Sequence, residues 1–160
     1  MVVNGLLCFI IFFQSLKEKK YHYTVVSGTA FLYFLSTWLQ SNIQNNVNVD
    51  AYSLIFGWIQ KIMLLFLAGY MIYVSFRSSE RKTDFPAAVF AIIACISRFL
   101  RSWIFNLYTA EMQIPGADVQ AVYQEFSGYY VVADSVAKFS VVVMLVLIAW
   151  HMGKTRETRN

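Results

Sequence analysis

The sequence has few charged residues for a chain of its length. Lys, Arg, Asp and Glu make up 14% of the 160 residues, against roughly 25% in soluble globular domains. Apolar residues make up 58%, above the roughly 45–50% of that class. The shortage of charge therefore excludes an ordinary soluble domain and indicates a protein whose main solvent is lipid.

Cysteine is also scarce, and the two that are present, Cys8 and Cys95, lie in apolar runs where free cysteine behaves as a small apolar side chain. A disulfide framework would need more cysteines. Positive charge is missing before the first apolar stretch, whereas a cleavable signal peptide begins with it. We therefore expect no disulfide framework, and we expect the first segment to stay in the mature protein.

Motifs that carry catalysis are missing as well. The chain contains no nucleophile elbow, zinc-binding helix motif, phosphate-binding loop or pair of catalytic carboxylates. His22 and His151, each near the end of an apolar segment, are too few ligands for a metal or a haem. The sequence therefore predicts a non-enzymatic protein with no cofactor and no metal.

What is present is a series of five apolar segments, covering residues 2–16, 23–40, 51–76, 85–108 and 128–152. A helix crosses a bilayer with about 20 apolar residues, and a chain of this length forms about one domain. The sequence therefore predicts an all-α protein, with residues 1–160 as a single transmembrane domain. We expect an integral membrane bundle of five transmembrane helices.

Nine of the thirteen Lys and Arg residues lie in three clusters that follow the first, third and fifth segments. The clusters are Lys17, Lys19 and Lys20; Arg77, Arg81 and Lys82; and Lys154, Arg156 and Arg159. Loops 41–50 and 109–127 contain neither residue type. Because cytoplasmic loops are enriched in Lys and Arg, we expect the N-terminus outside and the C-terminus inside. This clustering also accounts for the net charge of +4 without a nucleic-acid partner.

The second outer loop is expected to turn at Pro115 and Gly116, beside a short interfacial helix. Tyrosines near it, Tyr108, Tyr123, Tyr129 and Tyr130, are typical of an aromatic belt at the membrane surface. Residues 36–41 also resemble residues 97–102. That similarity indicates a parallel repeat of helices two and three in helices four and five.

Four cations fall inside the predicted spans: Lys61, Arg98, Arg101 and Lys138, with Asp134 as the one acid beside them. A charge at mid-bilayer costs about 2.5–3.5 kcal/mol, so such residues normally face the protein interior or a wet cavity. Asp134 and Lys138 are one helical turn apart and can pair. The excess positive charge predicts a site for an anionic lipid, an anionic ligand or an acidic partner helix, or else a wet pore.

Arginines 98 and 101 belong to a stripe of small and polar residues that share one face of helix four. The stripe consists of Ala87, Ala91, Ala94, Cys95, Arg98, Arg101, Ser102 and Phe105. A different interpretation stays open, in which Arg101 and Lys61 extend to the outer interface while Asp134 neutralises Arg98 or Lys138.

The first half of the chain resembles the small three-helix holins of bacteriophages. The resemblance covers residues 1–82 and rests on Asn4-Gly5-Leu6-Leu7-Cys8, the basic turn at 17–20, Trp38-Leu39 and the basic segment at 77–82. It implies a multi-pass protein of the bacterial inner membrane that associates into homo-oligomers and permeabilises the bilayer. Residues 83–160, which hold both buried arginines, have no counterpart in that family.

Three functions are therefore expected as alternatives. The first is a holin-like pore-forming protein. The second is a membrane subunit or binding module that holds an anionic lipid, an anionic ligand or an acidic partner helix through Lys61, Arg98, Arg101 and Lys138, with Asp134 as their charge partner. The third is a small transporter or sensor module.

Overall fold

A computed structural model describes residues 2–44, 50–77, 81–116 and 118–157, and all regular secondary structure in these ranges is α-helical. The helices are α1 (Val2–Lys17), α2 (Tyr21–Gln44), α3 (Asp50–Arg77), α4 (Arg81–Met112) and α5 (Val119–Glu157). The predicted all-α class is confirmed for the described residues.

The five helices run up and down, each packing on the next in the chain, and α5 returns to contact α1 and α2. The most extensive contact joins α4 and α5. Small residues of α4, Ala87, Ala91 and Ala94, are buried in the core, and residues of this size let neighbouring helices approach closely. Across the bundle, α5 contributes larger core side chains such as Met144 and Ile148.

Three of the helices, α3, α4 and α5, are long and apolar enough to cross a membrane. Large apolar side chains also cover much of their outer surface, including Phe76, Phe139 and Trp150. This distribution is typical of a bundle surrounded by lipid, because in lipid the exterior is as apolar as the core. The chain is therefore a membrane protein.

The first two helices differ from these three. Helix α1 has 16 residues and is about 24 Å long, shorter than the roughly 30 Å hydrocarbon core of a bilayer. Helix α2 has 24 residues, which is long enough, but hydroxyl and amide side chains interrupt its apolar sequence.

The helix ends extend past the predicted boundaries, most of all in α5, which begins at Val119 rather than at residue 128. The predicted interfacial helix in the second outer loop is therefore wrong: α4 continues to Met112 and α5 begins seven residues later. Asp118 sets the start of α5, because its Oδ1 accepts hydrogen bonds from the backbone N–H groups of Gln120 at 3.0 Å and Ala121 at 3.3 Å. The positive φ of Gly116, 85°, makes the turn.

Candidate functional site

Asp134 on α5 contacts three of the four cations predicted from the sequence. Its Oδ1 lies 3.1 Å from Arg98 Nη1 and 2.7 Å from Arg101 Nη1. Its Oδ2 lies 2.5 Å from Lys138 Nζ, one turn further along the same helix. One carboxylate is thus shared by two helices, and the sequence alone had left the choice of its partner open.

The burial of these side chains differs. The side chain of Arg98 is 5% exposed and that of Arg101 is 14% exposed, so both lie inside the bundle. The Lys138 side chain is 41% exposed and lies at the edge of the cluster. The α4 stripe predicted to face the bundle does so from Ala87 to Arg98, whereas Phe105 at its far end is half exposed.

Lys61, the fourth cation, reaches the same region from α3 without contacting Asp134. Its Nζ donates a hydrogen bond to Ser102 Oγ at 2.7 Å. The ammonium group also lies 4.5 Å from the ring centroid of Trp58 and 5.8 Å from that of Phe99, which are cation–π distances. Among the described residues no carboxylate forms an ion pair with Lys61.

A cavity of about 470 Å³ opens between α3 and α4, near the end of the bundle where α2 leads to α3 and α4 leads to α5. We call it the cationic pocket; it is lined by Gln40, Leu54, Gly57, Trp58, Lys61, Arg98, Arg101, Ser102, Phe105, Asn106, Thr109 and Tyr130. Three of the four predicted cations therefore face one cavity. Lys138 is not among its lining residues; it pairs with Asp134, which also pairs with the lining residues Arg98 and Arg101.

The positive charge of this region is only partly neutralised. Asp134 is the one carboxylate of the described residues that pairs with any of the four cations. The Nε of Arg101 is buried and has no hydrogen-bond acceptor among the described residues. A buried cationic group without a full set of partners is costly in a low-dielectric interior, so the pocket is suited to an anion.

Tyr130 is a site residue that the sequence did not identify. Its hydroxyl accepts a hydrogen bond from Arg101, and the guanidinium carbon lies 4.3 Å from its ring centroid. The sequence assigned it to an aromatic belt, because a tyrosine near a helix end gives no sign of such a contact. The structure instead makes it part of the pocket wall.

Two glutamines were also missed. Gln60 Nε2 donates a hydrogen bond to Gln40 Oε1 at 2.9 Å, and both side chains are buried. Gln60 Oε1 has no partner among the described residues. In the sequence, an uncharged amide inside an apolar run indicates a buried polar contact less strongly than a charged residue does. This pair joins α2 to α3, and Gln40 also lines the cationic pocket.

A second cavity, of about 380 Å³, lies between the ends of α4 and α5. We call it the aromatic pocket; it is lined by Ile104, Phe105, Tyr108, Tyr123, Phe126, Ser127, Tyr130 and Val131. Three of the four tyrosines predicted for the outer belt thus line this cavity, and two residues, Phe105 and Tyr130, line both pockets.

At the opposite end of the bundle the Tyr23 hydroxyl donates a hydrogen bond to Asp84 Oδ1 at 2.7 Å, and both residues are buried. Asp84 was missed because it directly precedes the apolar segment 85–108. No group of three His, Cys, Asp or Glu side chains in the described part of the chain is placed to hold a metal ion.

No protein-family model, curated protein or solved structure gives a significant match to the chain. The resemblance of residues 1–82 to holins therefore stays a prediction. The function has to be inferred from the chemistry and geometry of the pockets.

Proposed function

We propose that this chain is a non-catalytic, multi-pass membrane protein that binds an anionic ligand in the cationic pocket. The observation that supports this proposal is the arrangement of Lys61, Arg98 and Arg101 around one cavity, where Asp134 is the shared acid of the two arginines. Of the functions expected from the sequence, a binding module agrees best with this geometry.

The donors at the pocket suit a phosphate or carboxylate group. Guanidinium groups present several N–H donors in one plane and match the oxygens of such anions, and a lysine adds a compact charge. Ser102 and Asn106 add neutral polar groups to the wall. Hydrogen bonds to a charged partner contribute about 1.5–3 kcal/mol each, so loss of two donors should weaken binding measurably.

The size of the cavity favours a small ligand over an acidic helix of a partner protein. Its volume of about 470 Å³ lies within the roughly 300–1,000 Å³ of small-molecule sites. A helix with its side chains is about 10–12 Å across and would need an open groove. The pocket is instead bounded by residues from four helices, Gln40, Lys61, Arg98 and Tyr130 among them.

The proposal places five helices across the membrane, with the N-terminus outside. Lys17 ends α1 and Lys19 and Lys20 follow it, and Arg77 ends α3, so both connections are assigned to the cytoplasm. Arg159 lies outside the described residues, as do the side chains of Arg81, Lys82 and Arg156. With this orientation the cationic pocket lies in the outer half of the bundle.

Selective retention of an anionic lipid tests the proposal. The protein is purified in a neutral detergent, mixed with phosphatidylglycerol and phosphatidylcholine, and analysed by native mass spectrometry. We expect preferential binding of phosphatidylglycerol, and a loss of about tenfold or more when two donors are removed by Lys61→Gln with Arg101→Gln. Asp134 still pairs with Arg98 and Lys138 in that variant, so the bundle keeps two of the three contacts.

The matched control removes one lysine and one arginine at the other end of the bundle, by Arg77→Gln with Lys154→Gln. We expect this variant to bind phosphatidylglycerol like the unmodified protein. Equal losses in the two double variants would show a general attraction of anions to a basic protein and would contradict the proposal. A companion chain that co-purifies in stoichiometric amount and replaces the lipid would point to an acidic partner helix instead.

A further inference from the structure

The cationic and aromatic pockets share one wall. Phe105 and Tyr130 line both cavities, and their ring centroids lie 6.4 Å apart. The two cavities are therefore adjacent, and these two side chains form part of the wall of each.

The two pockets differ in chemistry. The cationic pocket presents Lys61, Arg98 and Arg101. The aromatic pocket presents five aromatic side chains, and no charged residue is found among its described lining. A ligand that fills both must carry negative charge at one end and an apolar chain or ring at the other.

Tyr130 joins the two environments directly. Its hydroxyl accepts a hydrogen bond from Arg101, whereas its ring forms part of the aromatic pocket beside Tyr108 and Phe126. An anion held by Arg101 would therefore lie close to a side chain that also lines the aromatic pocket.

An apolar pocket alone would select no ligand inside a membrane, because leaving the lipid for another apolar environment brings little free energy. The same pocket becomes selective when a charged site beside it fixes the head of the molecule. The charged head and the apolar chain belong to one molecule, so once the head is bound, the chain binds in an intramolecular step.

We infer that the ligand is an amphiphilic anion, whose phosphate or carboxylate head occupies the cationic pocket and whose apolar part lies in the aromatic pocket. This inference rests on the proposed function and specifies its ligand class. The head alone, as inorganic phosphate, is expected to bind without using the aromatic pocket.

Two probes separate the inference from the proposed function. Protein in nanodiscs of phosphatidylcholine is titrated with inorganic phosphate and with dodecyl phosphate, the latter expressed as its mole fraction in the bilayer. Binding is followed by the fluorescence of Trp58, whose ring lines the cationic pocket and lies 4.5 Å from Lys61 Nζ; replacement of the other three tryptophans by Phe isolates its signal.

The aromatic pocket is filled by Val131→Phe, and Val132→Phe is the matched control. The two valines are 60% and 61% exposed, so either accepts a larger side chain, but only Val131 lines the pocket. We expect Val131→Phe to weaken dodecyl phosphate binding by about tenfold. We expect no effect on phosphate, and no effect of Val132→Phe on either probe. Ser127→Phe, one turn earlier in the same pocket, should repeat the result.

Unchanged dodecyl phosphate binding in both Val131→Phe and Ser127→Phe would overturn the inference, while phosphate binding to the unmodified protein would leave the proposed function intact. Loss of phosphate binding together with dodecyl phosphate binding in these variants would also overturn it. The substitutions would then act by distorting the cationic pocket, and not by excluding the apolar part of the ligand. Failure of the unmodified protein to bind either probe would instead contradict the proposed function.

Discussion

At the scale of single residues, Asp134 holds the site together, since it is shared by Arg98, Arg101 and Lys138. Its replacement by Asn keeps the shape of the side chain but leaves three cations without their counter-charge. Removing one partner from a buried ion pair costs about 3–5 kcal/mol. The Asp134 side chain is 18% exposed, so we expect the lower end, about 3 kcal/mol.

Because the excess of positive charge rises in Asp134→Asn, added phosphate should bind more tightly and restore part of the lost stability. Thermal unfolding in neutral detergent, with and without phosphate, measures both effects. Glu111→Gln, which removes an acid near the end of α4 and outside both pockets, should behave like the unmodified protein. If the thermal unfolding midpoint of Asp134→Asn equals that of the unmodified protein, Asp134 does not stabilise the bundle by pairing with the three cations.

The charged members of this region could be found from the sequence, because Lys61, Arg98, Arg101, Lys138 and Asp134 each interrupt an apolar run and need a partner. Their pairing could not be found, since it depends on how α4 and α5 are rotated about their axes. That rotation is set by packing of many apolar side chains. It places Arg98 and Arg101 in the pocket and leaves Lys138 at the edge.

At the scale of helices, the start of α5 depends on one side chain. Asp118 Oδ1 accepts two backbone N–H groups of the first turn, which have no partner within the helix. We expect Asp118→Ala to lower the free energy of unfolding by about 1 kcal/mol. Asp118→Asn should retain most of the stability that the cap contributes, because the amide oxygen can accept the same hydrogen bonds. Equilibrium unfolding in detergent compares the three proteins, and equal stability of Asp118→Ala would show that the cap contributes nothing.

The existence of the five helices was predictable from apolar segments, but their ends were not. Hydropathy marks the part of a helix that lies in lipid, whereas a helix ends at a cap or turn. Polar residues of α5 before residue 128 therefore continue the helix, and the expected interfacial helix does not form in the described residues. The internal repeat stays a prediction, although Gln40 and Arg101, which it aligns, both line the cationic pocket.

For the whole molecule, composition identified a membrane protein, and α3, α4 and α5 confirm that class through their length and apolar character. Five crossings are proposed from the five apolar segments, and an outer N-terminus is proposed from the distribution of Lys and Arg. The predicted holin resemblance, which covers only the first three helices, would imply a pore-forming function. The cationic pocket is built mainly by α3 and α4. Because α4 lies outside the part of the chain that resembles holins, the pocket favours ligand binding, which needs the full bundle, over pore formation.

We propose that the cationic pocket is open to water and lies in the outer half of the membrane, and the reactivity of a cysteine placed in it tests this proposal most directly. Ser102 lines the pocket, and Cys8 and Cys95 are the native cysteines. The Ser102→Cys variant, with Cys8 and Cys95 both replaced by Ala, is expressed in cells. It is treated from outside with membrane-impermeant thiol reagents of equal size, one a sulfonate and one an ammonium.

We predict that the sulfonate reacts with Ser102→Cys about tenfold faster than the ammonium reagent, after correction for their intrinsic rates, because a cationic cleft concentrates anions. Lys61→Gln should reduce that ratio. Equal rates, a faster ammonium reaction, or modification only after the cells are opened would contradict the account of the pocket and its orientation.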